Sequence, residues 1–217
     1  MAGFPWASQE LCEEHNACYL ELDGERLVRL CTVQPLAGRR AVDELRRCLD
    51  AGFAGLGEMN PDAEGVALSD EDHWGPLAEC LVEAQATLLL HCSEPVGHAY
   101  AGKGATTPDK VYRFALAHPE LKIVGAHWGG GLPFYYLMPE VGPALPNLYF
   151  DSAATEFLYD TRVFGIAAGL AGTDRVLFGS DFPLLSQQRA LSHARAAGLH
   201  DADPFFGDNA AAVYGFR

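Results

Sequence analysis

The stretch Thr87-Leu88-Leu89-Leu90-His91-Cys92 is almost unbrokenly apolar until it meets a histidine. It is too short for a helix, and hydrophobicity on consecutive positions is what a strand buried on both faces of a parallel sheet shows. Runs of the same kind lie on either side: Leu27 to Val33 and Phe53 to Gly57 upstream, then Lys122 to His127, Asn147 to Ser152 and Arg175 to Asp181 downstream. Longer amphipathic stretches fill the intervals. Val42, Leu45, Cys48 and Leu49 recur at helical spacing, as do Leu77, Cys80, Leu81 and Ala84. Val111, Phe114, Ala115 and Ala117 follow Thr106-Thr107-Pro108-Asp109, a helix start with a capping residue and proline in the first turn. Further helices are expected over Ser8 to Leu22, Glu156 to Leu170, Gln187 to Ala197 and Ala210 to Tyr214. Strand and helix thus alternate every 25 to 35 residues. Six such strands wind right-handed into a TIM-barrel-like (β/α) fold, with an open doubly wound sheet as the alternative.

No low-complexity linker or charge block interrupts this alternation, so residues 1–217 read as one α/β domain. The chain carries 15 Lys and Arg against 29 Asp and Glu, a formal balance of −14. Without a basic patch to neutralise phosphates, nucleic acid is excluded as a partner, and an anionic membrane surface for the same reason. With 49% hydrophobic and 20% charged residues there is material for a core, and disorder is set aside. The N-terminus has no basic segment followed by an apolar run, and no stretch of about 18 apolar residues occurs, so a cytoplasmic protein is expected. The six cysteines show no metal-binding spacing and read as reduced, buried small hydrophobes.

The chemistry is carried by what ends the strands. Glu58 follows Phe53-Ala-Gly-Leu-Gly57, His91 ends the leucine run, His127 ends Ile123-Val-Gly-Ala126, and Asp181 ends Val176-Leu-Phe-Gly-Ser180. In parallel α/β folds the C-terminal edge of the sheet is where sites are built, so these four side chains should converge. Two imidazoles and two carboxylates suit Zn²⁺, Mn²⁺ or Fe²⁺ without a thiolate.

Several of these segments resemble one family. His91-Cys-Ser-Glu-Pro95, Ala126-His-Trp-Gly-Gly130 with Leu132-Pro-Phe134, and Gly179-Ser-Asp-Phe-Pro183 resemble the strand-five, strand-six and strand-eight signatures of the amidohydrolase superfamily, specifically the amidohydrolase-2 group of metal-dependent TIM-barrel hydrolases and decarboxylases. Gly57-Glu58 is similar to a strand-four glutamate of related members, and Gly207-Asp-Asn-Ala-Ala211 through Gly215 to the closing helix. The resemblance implies His91 as a metal ligand, and His127 as a second ligand or the group that activates water. It implies Asp181 as ligand and general base, and Glu58 as ligand or bridge. One or two divalent ions are implied, zinc first, with manganese or iron as alternatives.

The family's strand-one His-x-His pair occurs nowhere in the sequence. At about 30 residues per βα unit the shortfall from a barrel of about 250 residues corresponds to strand one, its helix and most of strand two, with Gly3-Phe-Pro-Trp6 as that strand's tail. His15 reads as a surface or core residue of its helix, and His73, His118, His193 and His200 as residues outside the site. The loop after His91 offers Glu94, His98 and Lys103 for substrate binding, with Lys103 suited to a carboxylate, and Trp128 beside His127 as a pocket wall or packing residue. The expected function is hydrolysis of a small-molecule amide, ester or lactone-like bond by metal-activated water. The alternatives are decarboxylation by the same kind of site, or an impaired barrel fragment acting as a binding subunit. With six strands, exposed barrel edges would favour a homo-oligomer.

Overall fold

The computed structural model describes residues 1–22, 24 and 27–216. Six strands form a single sheet: β1 (Leu30–Cys31), β2 (Gly55–Met59), β3 (Thr87–Leu90), β4 (Lys122–Gly125), β5 (Leu148–Asp151) and β6 (Val176–Leu177). Five fall inside the apolar runs, and β2 begins in the run Phe53 to Gly57 and continues two residues past it. They pair in sequence order and every pair is parallel. A doubly wound sheet must reverse its strand order at a switch point; this one never does, so the winding is that of an incomplete barrel.

The helices lie where the spacing predicts. They are α1 (Gln9–Glu21), α2 (Arg39–Asp50), α3 (Glu71–Glu83), α4 (Pro108–Ala117), α5 (Arg162–Ala171), α6 (Gln187–Ala196) and α7 (Asp208–Tyr214). Ser8 and Ser186 cap α1 and α6 by accepting from Leu11 N–H and Arg189 N–H. Thr107 stands at the N-cap of α4, but its hydroxyl goes to Asp109 Oδ1 at 2.6 Å instead of to the helix backbone. The helix expected over Glu156 to Leu170 is broken: a turn at Thr155–Leu158 precedes α5, and Asp160 Oδ1 accepts from Arg162 N–H at the new start.

Pleat alternation sorts the strand side chains into two layers. Leu56, Met59, Leu88, Leu90, Ile123, Leu148 and Phe150 face outward and join Leu45, Leu77, Leu81 and Phe114 of the surrounding helices in the main core. Leu30, Leu89, Val124 and Leu177 face inward, with Ala54 and Tyr149 packed beside them. The inner layer is closed from below by α7, whose Val213 packs into it with Ala210 and Tyr214 alongside, and Thr87 Oγ1 donates to the Val213 carbonyl at 3.0 Å.

The edge strands are not bare. Leu30 N–H on β1 donates to the Met1 carbonyl at 2.9 Å. At β6, Asn209 Nδ2 donates to the carbonyls of Thr173 at 2.8 Å and Val176 at 2.7 Å, and Phe178 N–H reaches the Phe205 carbonyl. Asn209 is buried, so Asn209→Ala would leave two carbonyls without a donor, at a cost of about 2–3 kcal/mol. Its unfolding midpoint by circular dichroism should fall by about 5–10 °C. A midpoint within a degree of the parent would show that these bonds contribute nothing. No helix among the described residues is long and apolar enough to cross a membrane.

Candidate metal centre

Glu58, His91 and His127 meet at the C-terminal edge of the sheet, each offering one ligand atom within 4.8 Å of the others. His91 arrives by simple alternation: it stands two residues beyond the inward Leu89 and so shares its face. Glu58 does not. Leu56 pairs with Leu88 and Met59 with Leu90, so β2 spends three residues where β3 spends two. That extra residue keeps Leu56 and Met59 both outward and turns Glu58 inward.

His127 is turned by the backbone as well. After the inward Ala126, both His127 and Trp128 take left-handed conformations, with φ of 56° and 59°. This brings the imidazole into the site and sends the indole the other way. The buried carboxylate of Asp151 holds the turn, its Oδ1 accepting from His127 N–H and Ala153 N–H, both at 3.0 Å. Asp151 ends its strand as the four expected residues end theirs. Its place after Leu148-Tyr-Phe150 is the same strand-end signal that marks the other four.

The donor set fits a divalent ion. Glu58 Oε1 lies 2.8 Å from His91 Nδ1 and 3.2 Å from His127 Nε2, and the two ring nitrogens are 3.2 Å apart. Cis donors around an octahedral ion with bonds of about 2.1 Å stand about 3.0 Å apart, against about 3.4 Å in a tetrahedron. The far side of each ring is engaged as a metal-binding histidine requires. His127 Nδ1 lies 3.3 Å from the Ala153 carbonyl, and His91 Nε2 lies 3.5 Å from Ser93 Oγ.

Electrostatics couple the three tightly. Burial pushes the Glu58 carboxyl up, but the His127 and His91 rings hold it well below the usual carboxylate range. Burial pulls His127 down, yet the Glu58 carboxylate outweighs it and raises the imidazole to about 10. Burial also lifts Asp151 to about 6 against the pull of His127. Asp181 stands outside the three-atom cluster but lines the same cavity, at φ 63°, and burial raises its carboxyl with Glu58 adding to the shift.

The cavity has a volume of about 1490 Å³. Glu94, His98, Lys103 and Trp128, expected at the substrate, are not among the described residues that line this cavity. Lys103 spends its ammonium on the carbonyls of Val96 at 2.6 Å and His98 at 3.1 Å, closing the loop on itself. Glu94 Oε2 accepts from the Tyr100 hydroxyl at 3.0 Å, and the His98 ring leans on Tyr100 with ring centroids 5.5 Å apart. Trp128 has no exposed surface; it donates to Thr155 Oγ1 at 2.9 Å and packs edge-on to Phe164, because the left-handed turn directs it outward.

The opposite wall is the one the sequence reading missed. Met1 to Trp6, with His15 and Tyr19 of α1, line the cavity, and Gly3 is hydrogen-bonded to Gly57 and Glu58 at the end of β2. His15 had read as an ordinary helix residue because nothing local marks which face of α1 meets the barrel mouth.

Comparison with known proteins follows the same lines. The amidohydrolase family profile matches residues 2–216. No curated protein matches the sequence. Among solved structures, 5-carboxyvanillate decarboxylase from Sphingomonas paucimobilis is 18% identical, with a TM-score of 0.75 over 96% of this chain and 73% of that one. A 2,6-dihydroxybenzoate decarboxylase from Rhizobium is 19% identical, with a TM-score of 0.67 over 98% and 80%. A dihydroxybenzoic acid decarboxylase from Polaromonas sp. JS666, solved with bound manganese, is 19% identical, with a TM-score of 0.68 over 95% and 75%.

Proposed function

The chain belongs to the amidohydrolase family, and on that footing we propose that it removes carbon dioxide from an aromatic carboxylic acid with a divalent ion, manganese first, held by Glu58, His91 and His127. The observation that carries this reading is the cavity wall. Phe4, Trp6, Tyr19, Phe178, Phe182 and Tyr214 all line the space beside the three ligands, and no lysine or arginine does among the described residues. Flat apolar side chains suit a ring, and a weakly solvating wall favours discharge of a carboxylate to neutral carbon dioxide. The fold likeness to aromatic-acid decarboxylases supports this alternative over the hydrolysis expected from the sequence.

A bound divalent ion would supply charge neutralisation for the substrate's oxygens. The rest falls to the chain. When the bond from ring carbon to carboxyl carbon breaks, its electron pair stays on the ring carbon, which must then take a proton. Asp181 is suited to deliver it, since its carboxyl lines the same cavity as the three ligands. Hydrolysis would ask the reverse of the same residue, acceptance of a proton from water. Asp151 touches no reacting atom in this scheme; it positions His127 through the backbone.

Protein loaded with Mn²⁺ is expected to release carbon dioxide from at least one hydroxylated or methoxylated benzoic acid, and to stop when the metal is chelated. Cleavage of esters or amides without carbon dioxide release from any acid of the panel would overturn the reading.

A further inference from the structure

The anionic substrate of the proposed reaction enters a cavity whose walls hold carboxylates and no lysine or arginine among the described residues. Its oxygens beyond those facing the metal ligands must therefore find donors other than lysine and arginine side chains. Asn60, Ser180 and Gln187 offer donors along the lining, whereas among the ring-bearing side chains of the wall most donors are engaged or sealed. The Tyr19 hydroxyl donates to the Ala2 carbonyl at 2.9 Å. The Trp6 indole nitrogen and His15 Nε2 are sealed from solvent and from the cavity. Tyr214 is different. It lines the cavity, its hydroxyl has no hydrogen-bond partner among the described residues, and that hydroxyl is not among the sealed polar atoms.

Its position follows from the fold. Along the inner face of β3, Thr87, Leu89 and His91 rise in steps of two residues. Thr87 Oγ1 fixes the Val213 carbonyl, and Tyr214 packs in the inner layer that contains Leu89. The phenol thus stands one layer beneath His91, where it feels the charges of Glu58 and Asp151. Burial and those charges push its ionisation well above the ordinary phenol range, so the group remains a donor.

We propose that Tyr214, carried on the last helix, is a substrate-binding residue whose hydroxyl donates a hydrogen bond to an oxygen of the bound aromatic acid. The assignment rests on the aromatic-acid reading of the site but is separable from catalysis. Tyr214→Phe keeps the ring in its packing and deletes only the donor. Calorimetric titration of Mn²⁺-loaded protein with 2,6-dihydroxybenzoate is expected to give about ten-fold weaker binding in the variant, the size of one hydrogen bond to a charged partner, with metal content and unfolding midpoint unchanged. Equal affinity in variant and parent, with carbon dioxide release intact, overturns the role of Tyr214 and leaves the decarboxylase reading standing. Weakened binding in a protein that releases no carbon dioxide supports Tyr214 and overturns the reaction. Failure of the parent to bind 2,6-dihydroxybenzoate or any other acid of the panel overturns both.

Discussion

His91→Ala is expected to cost the protein its tightly held divalent ion, weakening metal affinity by at least about 100-fold, the upper end of what loss of a mere supporting contact costs a metal site. His91 supplies one of three donor atoms that stand 2.8 to 3.2 Å apart, and its removal leaves Glu58 and His127 as a two-donor set. It also leaves the Glu58–His127 ion pair closed on itself, so a metal entering must break that pair with one ligand fewer. Metal analysis after dialysis, with a competing chelator to rank affinity, reads the effect directly. His98→Ala, on an exposed loop residue that does not line the cavity, should leave occupancy at the parent level. Stoichiometric metal retained by His91→Ala would remove this residue from the site.

Glu64→Gln is expected to stabilise the protein in alkali and to flatten its pH profile. Glu64 is 3% exposed. One carboxyl oxygen accepts from Asn60 N–H at 3.3 Å, and the other is sealed without any partner. No cation among the described residues offsets this burial, which raises the carboxyl from 4.5 to about 8. The sign follows from linkage. Below pH about 4.5 the group is protonated whether the chain is folded or not, and its contribution is fully present. Between pH 4.5 and about 8 the unfolded chain releases the proton while the folded one keeps it, so stability falls as pH rises. The full span corresponds to at most about 5 kcal/mol. A glutamine keeps the acceptor and cannot ionise, so its unfolding midpoint at pH 8.5 should exceed the parent's by about 5–10 °C, with the two converging near pH 4.5. Parallel pH profiles for the two proteins would show that Glu64 is not the titrating group.

The strands were the most legible part of the sequence, because a buried parallel strand writes itself as a short apolar run; five runs contain their strand and the sixth overlaps β2, which continues past it to Met59. The polar residues at their ends were legible for the same reason: a carboxylate or imidazole after consecutive apolar residues has few places to go but the sheet's C-terminal edge. Three of the four expected residues meet in one cluster that could hold a metal ion, and Asp181 lines the cavity beside it. Glu94, His98, Lys103 and Trp128, expected to contact substrate, stand apart from that cavity's lining. A loop's composition does not tell whether Lys103 faces the cavity or, as here, its own loop's carbonyls.

What the sequence by itself determined is therefore the list of parts: six βα units in parallel order, a metal-capable set of strand-end groups, and membership of one family. What only the tertiary structure decided is which way those groups point. Side chains along a strand alternate with a period of two, so a single extra residue between Leu56 and Met59 moves Glu58 from the outer face to the inner one. Two left-handed residues do the same for His127 and the reverse for Trp128. Both devices are fixed by the neighbouring strand and by the Asp151 carboxylate, contacts remote in the chain. The aromatic walls at Trp6 and Tyr214 come from opposite ends of the sequence and meet the site only because the chain closes around it.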